Sequence, residues 1–321
     1  MRDGSVAEGW LQIGHGHALH ERLIWEQVLL PLTAARRRFR VVHLPWYEGS
    51  PLMPAPLVLT VHDMNSILDA RTYSARFRFY YNRLLSLLLR RATVVVVPSH
   101  ATAQSLADVF PGAEEKVRVI PHGHDPALCG VRSNGPPLGE TGRILYSGGY
   151  GPRKRVEILL QAFRGVHAAR PGSRLVLVGA LPRALRALIH SMGLDSSVEA
   201  PGRVSDEALA GLYATVDVVA YPSAREGFGF PALEALTAGV PLVACAGSSI
   251  PELVGDCAEL VPVDSVEDLG EALLSAMSPS ELVQARVDRG LQRARGFSWE
   301  RAFDLHERAY LEAASSERIR E

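Results

Sequence analysis

The sequence predicts an α/β protein in which two Rossmann-like domains, each built on a parallel sheet, face one another across a cleft. Strand-like runs alternate with helical patterns along almost the whole chain, which is the order of βαβ units. The alternation stops between Asp125 and Gly142, a stretch rich in Gly, Pro, Ser and Asn, and then starts again. We interpret this stretch as a linker between two domains of similar architecture.

The first predicted domain covers residues 1–135 and contains four apolar runs of strand length, in which β-branched residues predominate. Nearly continuous runs of this kind are typical of parallel strands that are buried on both faces. A long helix over about 74–91 separates two of them. The predicted strands are 41–45, 57–62, 93–98 and 117–121.

The second predicted domain covers residues 136–296 and repeats the pattern. A helix over about 153–168 follows its first strand, and Ser205 caps a later helix with acids in the first turn. A helix over 297–321, with Trp299 as an apolar anchor, follows as a separate element. The predicted strands are 143–147, 174–179, a short strand from 198, 217–221, 241–245 and 258–263.

Composition excludes several classes of protein. The chain has 321 residues, 47% of them hydrophobic and 21% charged, with a net charge of −1. This is a globular composition without the basic field that nucleic acid requires. The three cysteines have no paired spacing, which indicates a reducing compartment. The first nine residues lack the apolar core of a signal peptide, and arginines interrupt the longest apolar run, so we expect a cytoplasmic protein without a membrane span.

A glycine-rich motif carries the first candidate site residues. Glu226 and Glu234 are separated by seven residues, and Gly227, Phe228 and Gly229 lie between them. A predicted strand ends just before the motif and a helix begins within it, which in a parallel sheet is the ligand crevice. The helix start suits a phosphate or a sugar oxygen, and carboxylates accept hydrogen bonds from hydroxyls. This combination predicts a nucleotide-sugar site, although either acid alone is also explained as a surface charge.

Three adjacent cations follow a glycine turn in the second domain: Arg153, Lys154 and Arg155. At a helix N-terminus they oppose the helix dipole, so local stability does not explain them. Lys154 and Arg153 are therefore candidates to neutralise a diphosphate leaving group as its bond to the sugar breaks. A solvated basic turn is the alternative. No Gly-Lys-Ser/Thr sequence is present, which excludes a P-loop.

Two further candidates lie near the ends of predicted strands. His62 ends an apolar strand of the first domain, and we expect it to point into the cleft, with a hydrogen-bonded core histidine as the alternative. Val204 lies in a turn that leads into the helix capped by Ser205. Backbone groups of that turn are candidates to hold a nucleobase, although ordinary helix capping explains most of the pattern.

Two histidine pairs resemble metal ligands at first sight. His15 with His17, and His122 with His124, are spaced i, i+2 and so point to opposite faces of an extended chain. No second cluster completes a metal site around either pair, and the second pair falls at the predicted linker. We therefore expect no metal to be bound.

A basic pattern on the long helix of the first domain leaves two interpretations open. Arg76, Arg83 and Arg90 recur every seven residues, and apolar residues form the other face. A solvated surface explains this pattern, and so does contact with an anionic membrane or a lipid acceptor. Peripheral contact with the inner membrane surface is therefore kept as an alternative to a location wholly in the cytoplasm.

Together these motifs resemble family 4 of the retaining glycosyltransferases, which has the GT-B fold, over about residues 25–310. Members usually begin with a strand and a glycine-rich loop near the donor phosphates. No such strand precedes Val41, and Gly14-His-Gly16 lacks a preceding apolar run, so we expect the first domain to lack that strand. Gly149 stands where several relatives carry a second arginine. The segments that carry the resemblance are 97–103, 119–125, 148–154, 226–235 and 248–254.

The resemblance implies a role for each candidate residue. Glu226 would hold hydroxyls of the donor sugar, and Glu234 would hold the ribose. Lys154 and Arg153 would hold the diphosphate, and His62 would lie beside the reacting sugar. The C-terminal helix would cross back to the first domain.

We therefore predict a retaining glycosyltransferase that moves a hexose from a GDP- or UDP-sugar to a lipid-linked, saccharide or small-molecule hydroxyl acceptor. It would need neither a cofactor nor a divalent metal. The family resemblance implies front-face attack, with the departing phosphate as the base. A GT-B phosphorylase or sugar-nucleotide epimerase is one alternative, but no pyridoxal lysine site is identifiable. A catalytically inactive GT-B subunit that binds a nucleotide sugar or a partner is another.

Overall fold

The computed structural model describes residues 24–316. Residues 1–23, which include His15, His17 and the Gly14-His-Gly16 segment, lie outside the described part, as do residues 317–321. Within the described range two parallel sheets form separate α/β lobes, as the sequence predicts. We call them the N-lobe and the C-lobe. The first strand after residue 24 begins at Val42, at one edge of the N-lobe sheet.

The N-lobe sheet has the strand order β1-β2-β3-β4; the leucine and β-branched residues of the central strands β2 and β3 are buried on both faces, whereas the edge strands β1 and β4 are partly exposed. Val42 lies opposite Leu57, and Val58 lies opposite Val94. Helices α3 and α4 start at side-chain caps, where Ser74 and Ser99 accept hydrogen bonds from the backbone three residues later. The elements are α1 Leu30–Arg37, β1 Val42–Leu44, β2 Leu57–Thr60, α2 Asn65–Leu68, α3 Ala75–Arg91, β3 Val94–Val97, α4 His100–Val109 and β4 Val117–Val119.

The C-lobe sheet has the order β10-β9-β8-β5-β6-β7. Strand β5 lies between β8 and β6, so the connections leave it in opposite directions and create a topological switch point. The elements are β5 Arg143–Tyr146, α5 Val156–Ala169, β6 Arg174–Val178, α6 Arg183–Ser191, β7 Val198–Gly202, α7 Asp206–Thr215, β8 Val218–Tyr221, α8 Phe230–Ala238, β9 Leu242–Cys245, α9 Ile250–Val254, β10 Glu259–Val261, α10 Val266–Ala276, α11 Glu281–Ala294 and α12 Trp299–Ser315.

The segment predicted as a linker is packed against the C-lobe. Its Arg132 side chain is buried and donates a hydrogen bond from Nε to the Val216 carbonyl at 2.9 Å. Asp217, which is fully buried, accepts hydrogen bonds from the backbone N–H groups of Gly139 and Gly142 at 2.8 and 2.6 Å. A buried carboxylate needs such partners, and these hold the segment in place.

Helix α12 leaves the C-lobe and packs on the N-lobe sheet. Its small residues make this close approach possible, because Ala302, Ala309 and Ala313 are all buried in a cluster with valines of β2 and β3. The Tyr310 hydroxyl lies 2.9 Å from His43 Nδ1. Among residues 24–316, no helix combines the length and the apolar character needed to cross a bilayer.

Candidate functional site

The candidate site lies where the C-terminal ends of β5 and β8 meet the N-lobe. A cleft of about 610 Å³ opens there, and both lobes contribute to its lining. His62 and Asp63 line it from the loop after β2, while Lys154 and Glu226 line it from the loops after β5 and β8. The two C-lobe loops flank the switch point of the sheet, which is where ligands bind in open α/β folds.

Glu226 is the centre of a charged cluster. Its Oε1 lies 2.6 Å from Lys154 Nζ, and its Oε2 lies 2.6 Å from an Arg153 guanidinium nitrogen. The Ser223 hydroxyl donates to Oε1 at 2.5 Å. The side chains of Lys154 and Glu226 are only 12% and 9% exposed. Sequence reasoning placed the acid and the cations in one cleft, and the structure brings them into direct contact.

The two cations are positioned by a turn and not by the α-helix that we predicted from about residue 153. Arg153 and Lys154 lie in a 3₁₀ turn, Pro152–Lys154, and α5 begins at Val156. The helix cannot extend backwards because Arg155 adopts a left-handed conformation with φ of 53°. The Ala224 backbone N–H donates to the Arg153 carbonyl at 2.9 Å, which joins this turn to the acidic loop.

The charges of the cluster depend on one another. Burial alone would raise the pKa of Glu226, but the charges of Lys154 and Arg153 and the hydrogen bonds from Lys154 and Ser223 lower it below its usual range. Burial lowers the pKa of Lys154, and the Glu226 carboxylate opposes that effect. The carboxylate is therefore ionised at neutral pH, and each side of the cluster stabilises the charge of the other.

Gly227 brings the two lobes into contact. A Cβ atom at this position would collide with the His62 carbonyl oxygen, so the close approach requires glycine. The Gly227 carbonyl accepts hydrogen bonds from the Ser99 hydroxyl at 2.6 Å and the Thr102 hydroxyl at 3.2 Å. Gly227, a candidate site residue of the glycine-rich motif, therefore fixes the contact between the lobes.

Phe228 and Gly229 complete the loop. Phe228 is 6% exposed, belongs to the C-lobe core and meets the His122 ring edge-on at 5.0 Å. Gly229 has φ of 111° and is the N-cap of α8, with Pro231 in the first turn. The left-handed conformation at Gly229 is what allows the strand-to-helix turn.

His62 lies at the cleft, as predicted, with a defined hydrogen bond. Its Nε2 lies 2.9 Å from the Pro45 carbonyl. Because a carbonyl can only accept, Nε2 carries the proton and Nδ1 has a free lone pair in the neutral ring. Burial lowers the pKa of His62, while the Pro45 hydrogen bond and Asp63 oppose that effect. A neutral His62 can accept a hydrogen bond from a hydroxyl.

Glu234 and Val204 do not line this cleft but lie in neighbouring elements of the C-lobe. Glu234, on the second turn of α8, accepts a hydrogen bond from the Tyr213 hydroxyl at 2.8 Å. Burial raises the pKa of Glu234, and the charges of Asp125 and Asp206 add to the shift. Asp206, whose charge acts on Glu234, starts α7 just after the Val204 turn. That turn and Glu234 therefore lie in the same region of the C-lobe.

An aromatic wall of the cleft was missed at the sequence level. His122 stacks on Phe230 with ring centres 5.1 Å apart, and Trp299 lies 5.9 Å from His122. Phe230 and Trp299 are 41% and 49% exposed. The signal available in the sequence was position: His122 follows strand β4 directly and therefore lies at the cleft edge of the N-lobe sheet. We considered it only as a metal ligand, and residues 24–316 contain no group of three or more His, Cys, Asp or Glu side chains arranged to hold a metal.

The sequence of the chain matches two family profiles. Residues 133–293 match the family described as Glycosyl transferases group 1, and residues 6–128 match Glycosyltransferase Family 4. An O-antigen chain mannosyltransferase B from Escherichia coli is 30% identical over 257 residues, which are 76% of this chain and 67% of the relative. An MMP alpha-(1->4)-mannosyltransferase from Mycolicibacterium hassiacum is 29% identical over 84% of this chain and 69% of the relative.

A third relative, a D-inositol 3-phosphate glycosyltransferase from Saccharomonospora viridis, is 29% identical over 81% of this chain and 65% of its own length. The chain thus spans about two thirds of the length of these curated relatives. Among solved structures, sucrose-phosphate synthase from Thermosynechococcus elongatus superposes with a TM-score of 0.72 at 21% identity, covering 86% of this chain and 74% of that one. HepE from Anabaena, solved in complex with UDP, superposes with a TM-score of 0.71 at 20% identity. The match covers 88% of this chain and 81% of HepE.

Two facing α/β lobes, with an acidic loop and a cationic turn at the switch point, have the GT-B fold. The chain belongs to the glycosyl transferases group 1, the family that the sequence motifs resemble.

Proposed function

We propose that this glycosyltransferase transfers a hexose from a nucleoside diphosphate sugar to a hydroxyl acceptor, with retention of configuration at the anomeric carbon. The observation that supports this most directly is the contact of Glu226 with both Lys154 and Arg153 in the cleft. A donor of this class carries an anionic diphosphate and several hydroxyls. The cluster offers two cations for the first and a carboxylate for the second.

Glu226 pairs with both cations, so a bound donor would have to redistribute these contacts. The diphosphate would draw Lys154 and Arg153 away from Glu226. Glu226 would then accept hydrogen bonds from sugar hydroxyls. Because the site is buried, the two cations stabilise the charge that develops on the departing phosphate more strongly than they would in water.

The covalent step that we propose takes place beside these two cations. The bond between the anomeric carbon and the phosphate oxygen breaks, and its electron pair stays on the phosphate. The acceptor oxygen forms the new bond on the same face, and its proton passes to the phosphate oxygen. With its oxygens occupied by hydrogen bonds from sugar hydroxyls, Glu226 would not be available to attack the anomeric carbon. We therefore propose front-face attack without a glycosyl-enzyme intermediate, and no divalent metal or other cofactor.

The nucleotide part would bind the C-lobe. One carboxylate oxygen of Glu234 accepts a hydrogen bond from the Tyr213 hydroxyl. We propose that the other oxygen accepts hydrogen bonds from the ribose hydroxyls. The Val204 turn would hold the base. The relatives named as mannosyltransferases support mannose as the sugar, and the UDP complex of HepE supports a uridine donor. GDP-mannose and UDP-hexoses are thus the first donors to examine.

A membrane-bound acceptor is supported by one surface of the N-lobe. Phe79, Tyr80 and Leu87 on α3 are 69%, 50% and 49% exposed, beside the exposed arginines at 76 and 83. Apolar side chains beside cations suit an anionic bilayer surface. Sedimentation with anionic and neutral vesicles tests this: retention by anionic vesicles alone supports peripheral binding, and no retention refutes it.

A donor screen tests the proposed function. We expect one nucleoside diphosphate sugar among the UDP-, GDP- and dTDP-hexoses to raise the melting temperature by mass action. The same donor should be consumed in a transfer or hydrolysis assay, with the product keeping the anomeric configuration of the donor. Binding without consumption by the wild type, under conditions that support a related enzyme, would instead identify an inactive nucleotide-sugar-binding subunit.

A further inference from the structure

A second pocket opens between the lobes beside the Glu226 cluster. It is separate from the larger cleft that we propose for the donor. Its volume is about 300 Å³, and it lies between the segment after β2 in the N-lobe and the cationic turn and acidic loop of the C-lobe. Four arginines line it, one from the N-lobe and three from the C-lobe: Arg71, Arg153, Arg155 and Arg225. We call it the arginine pocket.

Two of these cations form ion pairs within the described residues, and Arg225 is close enough to Asp69 for its charge to act on that carboxylate. Arg153 pairs with Glu226, and Arg155 lies 2.6 Å from an Asp264 oxygen. For Arg71 and Arg225, both exposed, no ion pair or side-chain hydrogen bond is found within residues 24–316. Like charges from opposite lobes thus line one small space, which is unfavourable unless an anion lies between them.

The acid in the lining does not neutralise this charge. Asp69 accepts hydrogen bonds from the backbone N–H groups of Arg71 and Thr72 and from the Thr72 hydroxyl. Burial alone would raise the pKa of Asp69, but these hydrogen bonds and the charge of Arg225 lower it, so Asp69 is ionised. One ionised carboxylate that is already engaged in a turn leaves the pocket with a net positive charge.

The buried side-chain amide of Asn65 is a second observation that points to a ligand in this pocket. It lines the same pocket, is only 3% exposed, and neither its side-chain oxygen nor its nitrogen has a hydrogen-bond partner in the described part of the chain. A buried amide without partners is unfavourable, and nearly all such groups in folded proteins are satisfied. The Asn65 amide nitrogen can donate to an anionic oxygen.

We propose that the arginine pocket binds a phosphate group and that this group belongs to the acceptor, which is therefore a phosphorylated alcohol. The assignment to the acceptor rests on the proposed function. Guanidinium groups match phosphate oxygens with paired hydrogen bonds, and Asn65 adds a neutral donor. Arg153 borders both the pocket and the Glu226 cluster, so the acceptor phosphate would lie next to the donor diphosphate. Contacts from Arg71 and Arg225 would hold the lobes together around both substrates.

Phosphate binding tests the pocket without requiring turnover. Titration calorimetry with inorganic phosphate, at constant ionic strength, is compared for the wild type, Arg71→Gln and Arg225→Gln. We expect each variant to lose at least about tenfold in affinity, the effect of one charge-assisted hydrogen bond. Arg83→Gln and Arg164→Gln, exposed arginines on α3 and α5, are the matched controls and should bind as the wild type does. Equal affinity in all five proteins would overturn the proposal.

Asn65→Leu provides a second variant for the same titration. Because the leucine replaces an amide that has no partner, we expect the phosphate-free melting temperature to stay the same or rise. Phosphate affinity should fall at the same time. A lower melting temperature together with unchanged phosphate affinity would show that Asn65 is a structural residue, and would contradict its place in the site.

The assignment to the acceptor is tested by paired substrates. Glucose 6-phosphate with glucose, and inositol 1-phosphate with inositol, are compared as acceptors with the donor found in the screen. We expect a higher kcat/KM for the phosphorylated member of a pair, with the preference reduced about tenfold or more in Arg225→Gln. Equal use of both members would overturn the acceptor assignment, whereas no consumption of any donor by the wild type, in transfer or in hydrolysis, would refute the proposed function itself.

Discussion

Lys154 Nζ lies 2.6 Å from Glu226 Oε1, and the two side chains are only 12% and 9% exposed. The two residues come from loops after different strands, and Arg153 occupies the other carboxylate oxygen. The donor-free protein therefore holds the three charges in place with one another. Under the proposed function, a donor diphosphate would replace the Glu226 carboxylate as the anion at these two cations.

The lysine composition allows this contact to be observed directly. Lys154 and Lys116 are the two lysines of the sequence, so Lys116→Arg leaves Lys154 as the single side-chain amine. In that variant we predict slow modification of Lys154 by an amine reagent, because its side chain is 12% exposed and ion-paired. Glu226→Gln should accelerate the modification, and saturating donor should again slow it. Mass spectrometry of the peptide measures the rate, and a rate indifferent to Glu226→Gln would show that the pair is absent in solution.

Removing either member of the pair should slow the transfer reaction. Lys154→Ala deletes a charge that stabilises the leaving group, and we predict a fall in kcat of about 10²–10³-fold. Glu226→Gln retains the shape but loses the charge, and its kcat should fall by a similar factor. Steady-state rates at saturating donor measure both, and wild-type turnover in both variants would remove these residues from the mechanism.

Stability should respond to the cluster in the donor-free protein. Glu226→Ala leaves Lys154 and Arg153 without their anion, and breaking a buried ion pair in this way lowers the free energy of unfolding by about 3–5 kcal/mol. The exposed pair of Arg118 with Glu312, each 42% exposed, is the control. Glu312→Ala should lower the free energy of unfolding by less than about 1 kcal/mol. Urea unfolding compares the two, and equal effects would mean that burial adds nothing to the Glu226 cluster.

Gly227, the glycine at the contact between the lobes, provides a further test. In Gly227→Ala the new methyl group would collide with the His62 carbonyl, so the lobes must move apart. We predict retained nucleotide binding, since the nucleotide site is placed in the C-lobe, but at least a tenfold loss of transfer because the site is misaligned. Gly165→Ala, in α5 with no atom within 4 Å of the new Cβ, is the control and should be neutral or stabilising. Full transfer activity in Gly227→Ala would contradict the role of the contact.

The cleft histidines predict how stability depends on pH. The pKa of His43 and that of His122 are both lowered to about 4. Burial is the larger cause, and the charges of neighbouring histidines are the smaller one. The unfolded chain takes up these protons near pH 6.5, before the folded protein does, so stability should fall as pH drops from about 6.5 to about 4. His122→Phe removes one of the groups and should flatten part of this slope in urea unfolding at several pH values. An unchanged dependence of stability on pH in His122→Phe would show that burial does not lower the pKa of His122.

Particular residues show what the sequence could reveal. The continuous valine and leucine runs predicted parallel strands, and the strand–glycine–helix pattern placed Glu226 at the end of β8. Spacing could not predict which cation pairs with Glu226, because Lys154 is 72 residues away and side-chain conformation decides the contact. The predicted start of the helix at 153 was wrong because Arg155 takes a left-handed conformation, for which arginine has no sequence signal.

The features that depend on both lobes were the ones that the sequence did not reveal. Gly227 looked like a residue that approaches a ligand, whereas its contact with His62 and Ser99 depends on how the lobes face each other. The arginine pocket combines Arg71 with Arg225, which belong to loops of different lobes. No periodicity connects such residues, because their proximity results from the packing of complete domains.

The most direct test of the account is the preference of the cleft for diphosphates over monophosphates. Dissociation constants of UDP, UMP, GDP and GMP are measured by calorimetry for the wild type and for Lys154→Ala. We predict that the wild type binds one of the diphosphates at least about tenfold more tightly than its monophosphate, and that Lys154→Ala abolishes this difference. Equal binding of diphosphate and monophosphate by the wild type, or an unchanged preference in Lys154→Ala, would contradict the claim that the Glu226 cluster receives the donor diphosphate.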